Sequence, residues 1–191
     1  MIVCSGVGYS HIGRTGGESV RIALMTSGLP CYYIGKIWEP EEDIKSNSNR
    51  YRPHYPPSMV SSVISPDLKL VTCVRNPWDR YVSWFHWHLG KRKEQPEWPV
   101  FLEKILDETN PRRITTQKEF IEGIDWSLIM RFENLRSEWL KVQEMMGHKI
   151  ELPHSNQGEG RSSYQGYYSP RQKKAVAKSE SYVIDRFGYK F

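Results

Sequence analysis

At 191 residues, 38% hydrophobic and 26% charged with seven tryptophans, the chain has the composition of a globular protein and not of a disordered one. The length fits one domain over residues 1–191, and no apolar run approaches the ~20 residues that span a bilayer. A formal charge of +5 suits a polyanionic partner such as nucleic acid, a membrane surface or a small phosphorylated ligand, but the basic residues form no tail and charge alone does not choose.

The start, MIVCSGVGYSHIG, has no basic leader and meets glycine early, which argues against a signal peptide. Ile2 to Ile12 reads as one strand running into a glycine-rich turn. Residues 18–28 read as a short helix stopped by Gly28, and residues 31–37 as a second strand. Residues 39–57 carry four prolines and read as loop, followed by one or two helical turns over 58–64. LKLVTCV (68–74) is a near-continuous apolar run of the kind that forms a buried parallel strand. A helix starts directly after it, because Asn76 suits the N-cap, Pro77 the first position and Asp79 the first turn, with Gly90 marking the end.

Thr116 and Glu119 form a capping box for a further helix. Residues 127–132 read as a strand, 135–147 as a helix closed by Gly147, and 169–187 as a last helix with Ser169 as cap and Pro170 at its first position. Strands alternating with helices predict an α/β fold with a central, mostly parallel sheet flanked by helices. Ligands of such sheets sit beyond the carboxyl ends of the strands. Cys4, Cys31 and Cys73 are odd in number and widely spaced, each in or beside an apolar stretch. The expectation is buried free thiols in a reducing compartment, with cytoplasm as the location.

Two strand-to-helix junctions carry chemistry. In HIGRTGGES (11–19), Gly13, Gly16 and Gly17 free the backbone to point several N–H groups at one anion, and the helix start adds its positive end. Arg14 adds a fixed charge, and Thr15 and Ser19 add hydroxyls. Gly8 to Thr15 also matches the phosphate-loop spacing G-x-x-x-x-G-K-[ST], with arginine in the lysine position. The second junction, VRNPWDRYVSW (74–84), puts Arg75 at the end of the buried strand, with Arg80 and Ser83 three apart on one helix face. Together these read as a second anion cradle or, more simply when the junction is taken alone, as an Arg80 paired with a surface carboxylate and a Ser83 that only packs.

Taken together, the two junctions resemble the sulfotransferases that use 3′-phosphoadenosine-5′-phosphosulfate (PAPS). HIGRTGGES is similar to the family's lysine–[Thr/Ser]–Gly–[Gly/Thr]–[Thr/Ser] loop, and RNPWDRYVS to its R-[DN]-P-x-x-R-x-x-S signature at every fixed position. RPHYPPSMV resembles the K-x-H-x-P segment that holds the catalytic histidine in cytosolic members. MRFENL resembles the strand ending in Glu-[Asp/Asn]-Leu, and the last 25 residues the closing helix and Phe-Gly-Tyr tail.

The resemblance implies a phosphate-loop-like sulfotransferase fold, PAPS as donor and a hydroxyl-bearing acceptor, carbohydrate or small alcohol, with no metal. Backbone amides of residues 13–18, with Thr15 and Ser19, would hold the 5′-phosphosulfate. Arg75 and Ser83 would hold the 3′-phosphate, with Arg161 as a further contact. His54 would be the general base. Arg14 stands where the family has the lysine of the leaving group, and Glu18 where it has threonine or serine, so both depart from the pattern. Residues 171–180 resemble a dimer motif, which implies a homodimer; an amphipathic surface helix explains them equally well.

Two other readings stay open. One is a nucleotide kinase using Gly8 to Thr15. Against it, such kinases place a metal-directing aspartate at the end of a buried strand, where this chain has Arg75. The other is a basic, aromatic-rich nucleic-acid-binding module; Trp84, Phe85 and Trp87 read more simply as core than as a stacking platform. His86 and His88, two apart on a helix, face different ways and form no metal pair.

Overall fold

The computed structural model describes residues 1–34, 65–91, 96–110, 113–153 and 163–191. The helical turns read over 58–64 lie outside them, as do His54 and Arg161. In chain order the elements are β1 (Ile2–Cys4), β2 (Val7–Ser10), α1 (Gly17–Thr26), β3 (Cys31–Tyr33), β4 (Lys69–Val74), α2 (Pro77–Lys91), α3 (Trp98–Leu106), α4 (Gln117–Ile121), β5 (Leu128–Arg131), α5 (Leu135–Met146), α6 (Pro170–Ser179) and α7 (Ser181–Phe187). Single 3-10 turns cover Phe132–Asn134 and Tyr164–Tyr167. The chain divides into two compact units, Met1–Cys73 with Phe120–Ser155, and Val74–Glu119 with Asn156–Phe191.

The first unit is built on a five-stranded sheet ordered β3-β1-β2-β4-β5. It is an α/β arrangement, as expected, and the sheet is mixed. β2 and β4 run parallel at its centre, with Ser10 opposite Thr72, whereas β1 is antiparallel to both β2 and β3. The single strand expected over Ile2 to Ile12 is therefore a hairpin. Ser5 and Gly6 both take positive φ, 46° and 74°, which is the two-residue turn whose twist matches a strand pair.

Strand alternation sorts side chains to the two faces. Ile2, Cys4, Val7 and Tyr9 pack with Val20, Ala23 and Leu24 of α1 and with Trp139, Val142 and Met146 of α5. Met1 and Val3 pack on Leu68 and Leu70. Gly147 ends α5 at φ 71°, as its placement after the last apolar residue predicts.

Two of the three thiols differ from expectation. Cys4 and Cys31 lie directly opposite on β1 and β3, their Cα atoms 4.5 Å apart, and are joined in a disulfide. Antiparallel strands bring non-hydrogen-bonded partners to this separation. Cys73 is buried and lies outside that bond. Among the described residues no helix is long and apolar enough to cross a membrane.

In the second unit α2 packs against α3, α6 and the Tyr164–Tyr167 turn. Phe85, Trp98, Phe101, Tyr167 and Tyr168 form its aromatic centre, with ring centroids 5.0–6.3 Å apart. Sequence reading left residues 90–115 without an element, yet α3 has apolar side chains at 98, 101, 102 and 105 and a proline in its first turn. The continuous helix expected over 169–187 is broken at Glu180 (φ −112°, ψ 22°) into α6 and α7. The Ser169 cap is present, closed into a capping box by Gln172.

Candidate functional site

The first junction begins where β2 leaves the sheet. The Thr72 hydroxyl donates to the Ser10 carbonyl at 2.8 Å, and the Thr15 hydroxyl donates to the Ile12 carbonyl at 2.8 Å, so the loop is stitched at both ends. Arg14 (φ 67°) and Gly16 (φ 85°) turn left-handed on either side of Thr15. Alternation of this kind rotates successive N–H groups towards one side, the geometry of an anion nest. An arginine in that region stores strain of order 1 kcal/mol, a feature concentrated at functional loops.

The helix α1 then starts at Gly17, and no side chain caps its first turn. A Cβ on Gly17 would overlap the His11 ring, and one on Gly16 would press on Leu135 and Phe132 at 2.7–2.9 Å. Close approach thus requires glycine at both positions, and at Gly16 the left-handed backbone requires it as well. The His11 ring is in turn stacked on Tyr9, centroids 6.3 Å apart.

Three loop residues sit differently from a simple list of ligands. Thr15 is fully buried and its hydroxyl serves the loop itself, so what it offers outward is its main chain. Glu18, in the first turn of α1, is gripped by Arg21 through Nε–Oε2 at 2.9 Å and Nη2–Oε1 at 2.6 Å. Those bonds hold its carboxyl below the usual glutamate range and neutralise it locally. Gly8 belongs to β2, paired with Val3 and Leu70, and its missing Cβ lets Leu68 and Met1 close over it. The eight-residue phosphate-loop frame therefore has its first glycine inside a strand, and the loop proper starts at His11.

The second junction follows β4. Asn76 caps α2 as expected, its Oδ1 accepting from the N–H groups of Trp78 (3.1 Å) and Asp79 (3.4 Å). Its Nδ2 donates to the Lys190 carbonyl at 2.9 Å and the Tyr164 hydroxyl at 3.4 Å, which ties the Phe-Gly-Tyr tail to the motif. Phe191 adds edge contacts to Trp78, Tyr164 and Tyr168.

Arg75, 7% exposed, is aimed by Asp79 one helical turn on. Nε donates to Oδ2 at 2.7 Å and Nη2 lies 2.6 Å from the same oxygen. Its main chain is bracketed by Gln117, whose Oε1 accepts from the Arg75 N–H at 2.8 Å and whose Nε2 donates to the Arg75 carbonyl at 3.0 Å.

Arg80 is not part of an exposed anion cradle. It is 1% exposed and pairs with the fully buried Glu180 at 2.9 Å, while its Nη2 donates to the Thr115 carbonyl. The second arginine of the motif is a scaffold residue; Ser83, one turn further along α2, is 5% exposed. Gln117, Asp79 and Glu180 escaped sequence reading as members of the site. Asp79 had a signal, its four-residue spacing from Arg75; Gln117 and Glu180 had none, because their partners lie 42 and 100 residues away.

His86 Nε2 lies 2.7 Å from the Tyr167 hydroxyl, and the His88 ring lies against Phe101. The described residues contain no group of three or more His, Cys, Asp or Glu side chains placed to hold a metal ion.

A family model described as "Sulfotransferase domain" matches residues 23–159, more than two thirds of the chain. The match takes in His54 and the whole Arg75–Ser83 motif and begins after the glycine loop. No curated protein matches the sequence. Among solved structures the chain is similar to a mouse sulfotransferase, SULT7A1, crystallised in complex with PAP. The TM-score is 0.60 with 13% identity, over 90% of this chain and 82% of that one. At that identity the likeness is one of fold.

Proposed function

The chain belongs to the sulfotransferase domain family, and on that premise we propose that it transfers a sulfuryl group from PAPS to a hydroxyl of a carbohydrate or small alcohol. The observation that carries the reading is the setting of Arg75. It is a nearly buried guanidinium at the end of a buried strand, oriented by Asp79 and fixed at its main chain by Gln117. A preorganised arginine of this kind suits a phosphate monoester, which it meets as a charged, planar donor.

Two groups of residues support this reading. The loop from Gly13 to Ser19, with its left-handed turns and uncapped helix start, suits the 5′-phosphosulfate. Arg75 and Ser83 suit the 3′-phosphate, and Arg161 joins them in the proposal. The donor supplies an activated sulfuryl group, whose bond to the phosphate oxygen breaks as sulfur bonds to the acceptor oxygen. His54 takes the proton of the acceptor hydroxyl, a role suited to a group with an ordinary pKa of ~6.5. Arg14 sets positive charge near the departing phosphate oxygen. No metal is required, because these cations do the neutralising.

Calorimetric titration with 3′-phosphoadenosine-5′-phosphate (PAP), ADP and ATP, each with and without Mg²⁺, tests the proposal. Metal-independent binding that depends on the 3′-phosphate is the expected result. Preference for ATP with Mg²⁺ would replace it with the kinase reading.

A further inference from the structure

The main chain of Arg75 lies inside a closed circuit of hydrogen bonds within its unit. Gln117 reaches it with both ends of one side-chain amide, accepting from its N–H and donating to its carbonyl. The N–H of Gln117 donates to both Glu180 oxygens, at 3.1 and 3.4 Å. Glu180 accepts from Arg80 Nη1 at 2.9 Å, and Arg80 Nη2 returns to the Thr115 carbonyl, two residues before Gln117. Arg80 is itself five residues after Arg75. Gln117 and Glu180 are fully buried and Arg80 is 1% exposed.

We propose that Gln117 is a positioning residue for the nucleotide 3′-phosphate. It binds both main-chain groups of Arg75, the residue after β4, so that the Arg75 side chain leaves a fixed main chain, and the Arg80–Glu180 pair holds Gln117 in place. The inference rests on the reading that Arg75 takes that phosphate. The chemistry requires an amide. A carboxylate at 117 accepts from the Arg75 N–H but sets an oxygen against its carbonyl, and an apolar side chain leaves both main-chain groups buried without these bonds. The signature arginine at position 80 then acts at a distance: it fixes Glu180, Glu180 fixes Gln117, and Gln117 fixes Arg75.

Affinity for PAP and for adenosine 5′-monophosphate, measured calorimetrically on the full chain, gives a ratio that reports the 3′-phosphate alone. The wild type should favour PAP. Gln117→Met should cut the ratio at least tenfold while leaving the affinity for the monophosphate within about twofold, and Gln117→Glu should fall between. A merely structural role would reduce the folded fraction and scale both affinities together. Should Gln117→Met fail to fold, Gln117→Glu reads the same ratio. A wild type that does not distinguish the two nucleotides overturns the 3′-phosphate reading and this proposal with it. A discriminating wild type whose ratio survives in folded variants overturns the positioning role alone.

Discussion

Gly17 and His11 are mutually exclusive with any larger residue at position 17, because an added Cβ would fall within the imidazole ring. Since Tyr9 backs that ring, it has little room to retreat. Gly17→Ala should therefore cost about 1–3 kcal/mol in urea unfolding, the range for overpacking a tight site. It should also weaken PAP binding by disturbing the loop. An alanine variant with wild-type stability and affinity would show that the loop tolerates a shifted His11.

His54 and Arg75 are assigned different duties, and kinetics separates them. His54→Ala should lower turnover by at least ~100-fold, the usual scale of general base catalysis, with PAP affinity nearly unchanged. Arg75→Ala should weaken PAP binding itself. If His54→Ala kept full turnover, the base assignment would be wrong.

The Arg80–Glu180 pair should show the asymmetry of buried ions. Glu180→Ala strands the Arg80 charge and should cost about 3–5 kcal/mol, whereas replacing both residues by methionine should cost far less. Equal losses in the single and double variants, measured by denaturant titration, would contradict a coupled pair.

Glu18 gives a pH signature of known sign. Its folded carboxyl titrates below the ordinary value of 4.5 because of Arg21, so its contribution is present above that value and lost as pH falls through the folded one. Both partners are about a third or more exposed, so the effect is screened to a few tenths of a kcal/mol. Glu18→Gln should be slightly less stable than wild type at pH 7, with the gap closing below about pH 4. A gap that widened in acid would reverse the assignment.

Cys4 and Cys31 close a loop with a sequence separation of 27, which by chain entropy corresponds to about 3.5 kcal/mol. Adding a reductant should lower the melting temperature of the wild type and leave a Cys4→Ser/Cys31→Ser variant unmoved. Equal responses would show that the bond contributes nothing.

The features legible in the sequence are those specified locally. β4 followed from an apolar run, the start of α2 from Asn76, Pro77 and Asp79, and α4 from Thr116 and Glu119, whose mutual bonds are present. The apolar spacing of α3 is equally local, at 98, 101, 102 and 105. Two failures have a different origin. The Ser5-Gly6 turn is two residues inside otherwise continuous strand chemistry. The break at Glu180 falls between Ser179 and Ser181, and the carboxylate there is buried against Arg80, a partner far away in sequence. Within the site, loop and motif could be read from spacing, whereas Gln117 could not, since only the folded chain brings it to Arg75.

The circuit around Arg75 also sets an order in time. The hairpin and glycine loop join near neighbours, so a growing chain can form them early. Arg80 must wait for a carboxylate 100 residues further on. During synthesis the complete R-N-P-x-x-R-x-x-S motif thus exists with its second arginine lacking its eventual counter-charge until Glu180 is added. A fragment ending before Glu180 would carry every recognisable letter of the signature, with Asp79 and Gln117 present but the buried carboxylate that pairs with Arg80 missing.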